Sequence, residues 1–360
     1  MKLKKVDSVI ASLVILLTLF GLLIIADTSL IEGQTGFGDQ FFFLKRQLGW
    51  AGIGLFLGVL TSQINYQYWR KLAGPGLVFG SLLLLAVFLP GLGSRAYGSS
   101  RWLNLGFAGG QPVEFLKLAV IIYSAKLFST WQEEGIGLKL IPLLAPIALL
   151  LLEPDFSSTV LVVATIISIL FLSGYPLGRI VPAIAVCLVL GLVLIASSAY
   201  RRQRVAGLLD PFSDPQNKTY HAYQTALTLG SGGWLGLGLG QSRQKYHYLP
   251  EVTSDSIIAV VAEEFGFLGV TTLIIAFGVL IFRGLKTAFG APDNFGKLLA
   301  SGVISLILFQ GLINLGAVAI ILPLTGMPFP FVSHGGSSLV ALSAGIGIVL
   351  NIAGQKKVKT

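Results

Sequence analysis

Residues 8–26, SVIASLVILLTLFGLLIIA, decide the fold class. The run contains no charged side chain. At 1.5 Å per residue it is long enough, as a helix, to cross a hydrocarbon layer about 30 Å thick. Met1–Lys5 in front of it resembles the basic start of a signal peptide. The apolar run is longer than the roughly 7–15 residues of such a core, and no small-x-small cleavage site follows. It reads as a first membrane helix.

Outward from that run the pattern repeats. Spans of membrane length are expected at about 8–26, 45–63, 73–90, 112–129, 138–153, 157–174, 178–198, 256–282, 298–322 and 335–353. The 360 residues are 54% hydrophobic and 11% charged, with a mean hydropathy of +0.82. A soluble domain carries roughly 25% charged residues. The expectation is an all-α polytopic membrane protein of about ten transmembrane helices. Residues 1–360 form one membrane domain, with a large extracytoplasmic loop (about 199–255) between helices 7 and 8.

The net charge of +9 does not point to nucleic acid, because basic residues sit in short stretches between apolar blocks, as orientation signals do. One side collects Lys2, Lys4, Lys5, Arg70, Lys71, Lys126, Lys139, Arg179, Arg283, Lys286, Lys297, Lys356, Lys357 and Lys359. The other carries Lys45, Arg46, Arg95 and Arg101, plus Arg201, Arg202, Arg204, Lys218, Arg243 and Lys245 of the long loop, where charge weighs less. Both termini are therefore expected in the cytoplasm. The loops at about 91–111 and 199–255 then face outward. A lone Cys187 excludes an internal disulfide.

Five constellations could carry chemistry. Gln111-Pro112-Val113-Glu114-Phe115-Leu116-Lys117 opens the fourth span. Glu114 and Lys117 share a helix face, either as a structural pair or with Lys117 as a cation for an anionic substrate. In Glu153-Pro154-Asp155, Asp155 is a turn residue or the rim of an outward cavity. Asp255 follows Leu249-Pro250-Glu251 where the long loop re-enters the membrane, as an N-cap or as a carboxylate aimed at a lipid head group. Glu263-Glu264 lies about 12 Å deeper in that span and needs partners. Pro328 to Ser338 opens the last span through Ser333, Gly335, Gly336 and Ser337. It is a capped helix start or a set of free N–H groups for an anion. The cluster Gly230-Ser231-Gly232-Gly233-Trp234-Leu235-Gly236-Leu237-Gly238-Leu239-Gly240 is by itself a poor phosphate signature. No metal-ligand cluster, nucleophile elbow or P-loop is present in the sequence.

In this order, the motifs resemble the SEDS family (shape, elongation, division and sporulation), which polymerises the lipid-linked disaccharide-pentapeptide lipid II. The resemblance covers nearly the whole chain. It runs through Arg101-Trp102-Leu103, Gln111 to Lys117, Glu153-Pro154-Asp155, Leu209-Asp210-Pro211-Phe212, Gly230 to Gly233, Leu249-Pro250-Glu251, Asp255, Glu263-Glu264 and Pro328 to Ser338. Gly238 to Ser242 followed by Lys245 is more similar to the division (FtsW-like) branch than to the elongation (RodA-like) branch. Three places depart from the family: Thr253, Ser254 and Ser256 stand around Asp255 where His-Thr-Asp-Phe is usual, His334 stands where Tyr is common, and Ile320 where Gly is frequent.

The resemblance implies a peptidoglycan glycosyltransferase of the bacterial cytoplasmic membrane, active in septal wall synthesis at the outer face, with Asp255 essential. Diphosphate is already a good leaving group, so one base and cations over the diphosphate suffice. Asp255 is the expected base, with inversion at the anomeric centre. Arg101, Lys117, Lys245 and Glu264 are candidate substrate contacts, with Glu114 and Asp155 orienting the cations. No cofactor is required by the sequence, although a divalent cation (Mg or Mn) could assist. The implied partners are lipid II, a class B penicillin-binding protein (a transpeptidase), other divisome or elongasome membrane proteins, and membrane lipid. The competing readings are a lipid II flippase, which would use the intramembrane charges as a path, and a non-catalytic scaffold.

Overall fold

The computed structural model describes residues 7–89, 91, 93–96, 99–104, 109–134, 136–217, 219–245 and 249–355. Of the orientation charges, Lys2, Lys4, Lys5, Lys218, Lys356, Lys357 and Lys359 lie outside the described residues.

All ten expected spans are helices. The chain runs α1 (Ser8–Thr28), a short α2 (Leu30–Phe37), α3 (Phe42–Gln63) and α4 (Gln67–Ala86). Three short antiparallel strands follow, β1 (Gly93–Ala96), β2 (Ser99–Asn104) and β3 (Gly109–Gly110). Then come α5 (Pro112–Ser129), the single-turn α6 (Trp131–Glu134), α7 (Ile141–Leu152), α8 (Phe156–Leu172) and α9 (Leu177–Ala196). The long loop folds into α10 (Ala199–Leu209) and α11 (Tyr220–Ser231) before α12 (Ile257–Phe289), α13 (Asn294–Val318) and α14 (Gly336–Ala353). The sheet is the one departure from an all-α reading. Leu103 pairs with Gly110, so β2 leads the chain back onto the start of α5.

Burial sorts the helices. In the most apolar window of each, 83% of α14 and 72% of α13 is buried, against 6% of α9, so α13 and α14 form the centre and α9 the periphery. Small residues let α14 approach α3: a side chain at Gly347 would run into Thr61 and the Gly58 carbonyl. The Thr61 hydroxyl donates across the contact to the Ala344 carbonyl at 2.9 Å. Close backbone approach of this kind is how membrane helices associate where water supplies no hydrophobic drive.

Helix α12 is broken at Gly266 (φ 64°, ψ −166°), and the glycine cluster repairs the break. Leu237 and Gly238 N–H donate to the freed Glu263 and Glu264 carbonyls at 2.9 Å each. Phe267 N–H donates to Gly233 and Leu268 N–H to Trp234. At this depth no water is at hand to satisfy a broken helix, so protein backbone must do it. The exchange requires near contact. A Cβ at Gly232 would overlap the Ala262 carbonyl, and one at Gly236 the Glu264 carbonyl. These glycines are spacers against a kinked helix, not a phosphate cradle.

The connections fall at two ends. At one, Arg283 bonds Asp7 at 2.9 Å, and the Tyr66 N–H donates to Asn351, so both ends of the described chain lie together. The sheet, the 153–155 turn, α10, α11 and Asp255 lie at the other.

Candidate active site

Asp255 sits in the turn that precedes α12, half-buried, with its backbone tied down from three sides. Its carbonyl accepts from Asn314 Nδ2 of α13 at 2.9 Å, and the same amide group donates to Met327 O at 2.7 Å. Thr253 O accepts from His334 N at 2.8 Å. Ser254 and Ser256 N–H both donate to Glu251 O. The turn is thereby fixed to α13 and to the segment before α14.

The carboxylate itself is left open. Its one side-chain donor is Ser254 Oγ at 3.2 Å from Oδ1, and that hydroxyl also lies 2.9 Å from Glu251 Oε2. A hydroxyl has one proton to give. Oδ2 faces Gly326 (φ 69°), where an added Cβ would stand 3.9 Å away. Burial, reinforced by the negative charge of Glu251, pushes the Asp255 pKa up to about 6, with Ser254 and Arg204 opposing. A carboxylate titrating there is ionised at neutral pH and basic enough to take a proton.

Two groups that the sequence reading left unassigned stand beside it. His221 of α11 bonds Ser256 Oγ at 2.8 Å, and Ser256 Oγ donates to Pro250 O at 2.9 Å. That leaves the hydroxyl a lone pair for His221, so Nε2 carries the proton. Burial and the adjacent Arg204 lower the His221 pKa to about 4, which keeps the ring neutral. Arg204 of α10 donates to the Leu324 carbonyl. Both line a cavity of about 180 Å³ under α10. Nothing in the sequence linked these loop residues to Asp255, since the pairings form only when α10 and α11 fold back over α13.

The 153–155 turn reaches the same rim. Ser157 Oγ donates to Thr325 O at 3.0 Å, next to Gly326. Asp155 is buried and caps α8 by accepting from Ser158 N at 3.1 Å. Arg101 of β2 donates to Pro154 O at 3.0 Å. Glu153 is buried with both carboxylate oxygens unpartnered. Burial and then Asp155 raise its pKa to about 8, against the pull of Arg101, so it is protonated at neutral pH.

The other expected site residues stand elsewhere. Lys117 and Glu114 form a 2.7 Å pair, with 3% and 6% of their side chains exposed. Lys245 does not face the Asp255 rim. Its ammonium contacts both Asp27 oxygens at 2.8 Å, Gly240 O at 2.9 Å and Glu264 Oε1 at 3.3 Å. Ser242 and Arg243 complete this cluster by donating to Glu263 and Glu264. Glu263 and Glu264 thus bond the loop above them rather than Lys117. At the start of α14, Ser333 Oγ accepts from Phe329 N at 2.8 Å, Ser337 Oγ accepts from Gln111 N at 3.0 Å, and Gly335 N reaches Gln47 Oε1 at 3.4 Å. A Cβ at Gly336 would overlap the Trp50 ring. This helix start is packed against α3, and Gly335 N–H is directed at protein rather than at an anion.

The departures have structural counterparts. Ile320 adopts φ 55°, a left-handed conformation that favours glycine. His334 stacks edge-on against Phe43 at 5.6 Å. Ser256 is the residue that engages His221.

Comparison with known proteins agrees with this architecture. The family described as cell cycle protein (FtsW/RodA/SpoVE) matches residues 7–358. Stage V sporulation protein E of Bacillus subtilis (strain 168) is 36% identical over 96% of this chain and 96% of its own length. The probable peptidoglycan glycosyltransferase FtsW of Geobacter metallireducens is 35% identical over 99% of this chain and 96% of that protein. A chain from a peptidoglycan synthase complex that coordinates polymerization and crosslinking superposes with a TM-score of 0.79 at 27% identity, over 97% of this chain and 98% of that one. The rod shape determining protein RodA of Thermus thermophilus superposes at 0.70 with 27% identity, over 97% of both chains.

Proposed function

Because this chain belongs to the FtsW/RodA/SpoVE family, we propose that it is a peptidoglycan glycosyltransferase that polymerises lipid II in septal wall synthesis. The observation that carries the mechanism is the open, pKa-raised carboxylate of Asp255 on a backbone bonded from three sides. Asp255 takes the proton of the acceptor sugar hydroxyl. The oxygen attacks the anomeric carbon of the lipid-linked donor, the bond to the diphosphate breaks, and the lipid diphosphate leaves. Direct displacement inverts the centre. A positioned base contributes typically 10²–10⁴-fold, and backbone fixation keeps it in line.

Arg101, held on the 153–155 turn with Asp155, contacts substrate from that rim. The Glu114–Lys117 pair, the Lys245–Glu264 cluster and the Ser333 to Ser337 turn hold the frame. Among the described residues no three His, Cys, Asp or Glu side chains converge as metal ligands. Those residues therefore offer no three-ligand cage, and no step here is routed through a divalent ion. A class B penicillin-binding protein is the partner, as suits a relative of a synthase complex. The Asp255 end faces outward and both termini face the cytoplasm. The charges a flippase would line along its path, Glu263, Glu264 and Lys117, are bonded to protein groups.

The test supplies lipid II to the purified protein with its penicillin-binding partner and resolves glycan chains on a gel. Wild type is expected to make polymer, with an acid limb near pH 6, and folded Asp255→Asn about 10³-fold less. Equal polymer from both proteins would sink the assignment of Asp255.

A further inference from the structure

The cavity under α10 has a wall composition that the mechanism above does not use. Its polar lining comes from Tyr200, Gln203, Arg204, Thr219 and His221, and no carboxylate among the described residues lines it. With His221 neutral, Arg204 is the cation that lines it among the described residues. Of the five N–H groups of Arg204, one is engaged, by the Leu324 carbonyl. Its guanidinium lies 4.6 Å from the centre of the Tyr200 ring, which fixes its plane. A guanidinium so held, with a free fork, matches two phosphate oxygens better than any other side chain.

Its position relative to the base is the second observation. Arg204 is bonded to Leu324, while Asp255 abuts Gly326 two residues on. Two residues of chain span about 7 Å at most. In an inverting displacement the leaving diphosphate departs on the far side of the anomeric carbon from the incoming hydroxyl. The diphosphate cation must therefore stand in the same site as the base without bonding it. Arg204 does this, and its charge is felt at Asp255. The other candidate cations do not: Lys245 and Lys117 are paired to carboxylates, and Arg101 does not line this cavity.

We propose that the cavity under α10 receives the diphosphate of the lipid-linked donor, with Arg204 as the residue that binds it. This rests on the glycosyltransferase reading above. The probe is therefore one that needs no turnover: polyprenyl diphosphate binding to the full-length protein in lipid nanodiscs. Arg204→Gln is expected to weaken binding about 30-fold, and Arg204→Lys, which keeps charge but loses the fork, about 5-fold. Arg202→Gln, on the exposed face of the same helix, should stay within about twofold. The Lys variant also decides the matter should the Gln variant misfold. Unchanged binding in Arg204→Lys and Arg204→Gln, or an equal loss in Arg202→Gln, would overturn the proposal. In preparations that polymerise, Arg204→Gln should also move the acid limb to higher pH, because Arg204 lowers the Asp255 pKa. A merely structural role would not shift that limb. If wild type binds the diphosphate but makes no polymer, the glycosyltransferase reading falls while the Arg204 site stands.

Discussion

Two acidic sites lie about two turns apart on one strand of chain, and they are opposites. In the lower one, Asp27, Glu263 and Glu264 meet Lys245 and the amides of Ser242 and Arg243, and all the ammonium hydrogens of Lys245 have acceptors. In the upper one, Asp255 has a rigid backbone and a carboxylate offered only a shared hydroxyl proton. The difference teaches how to tell a structural carboxylate from a chemical one. The structural group is held against an ammonium and backbone amides, because an unpaired buried charge is expensive. The chemical group is held by its main chain while its oxygens stay available.

The comparison is broken most severely at the lower site. Lys245→Met strands the two carboxylates it contacts, Asp27 and Glu264. It should destabilise the protein by about 3–5 kcal/mol, measured by thermal unfolding in detergent. Adding Asp27→Asn should recover part of that loss, since the two side chains are in contact. A smaller effect follows from the glycine spacers above. Gly236→Ala forces a methyl into the Glu264 carbonyl at φ 81° and should remove about 1–3 kcal/mol.

The upper site should respond with the opposite sign. The folded pKa of Asp255 is raised above its ordinary value of 3.8, to about 6. Its ionisation therefore penalises the folded state, an effect absent below about pH 4 and complete above about pH 6. Asp255→Asn removes that penalty. It should raise stability by about 1–2 kcal/mol at pH 8 and by little at pH 4, read from unfolding midpoints across pH. A variant that gains stability while losing polymerisation would sharpen the contrast, and one destabilised at pH 8 would contradict it. The smallest change is at the cavity rim. Ile320→Gly relieves a β-branched residue at φ 55° but gives up packing and unfolded-state stiffness, and should stay within about 1 kcal/mol of wild type.

The ten spans were legible because a bilayer imposes a length and an apolarity that any helix crossing it must meet, and residues 112–129 match α5 (Pro112–Ser129) at both ends. The Glu114–Lys117 pair was legible for a similar reason: it is a local pattern, read within one helical turn. The glycine cluster was visible as an oddity but not as a helix repair. Its partners are backbone groups of α12 some 26 to 34 residues further on, and backbone groups leave no mark in a sequence.

What the sequence by itself determined is thus the class of environment: how often the chain crosses, where polar groups stand at depth, and which family order they follow. What only the tertiary structure decided is which of those groups are satisfied. Lys245 meets Asp27 across 218 positions, and Arg204 meets Leu324 across 120. Spacing fixes only what lies within a helical turn, whereas charge pairing acts through space, so the folded arrangement alone separates the carboxylate that is spent from the one left free to react.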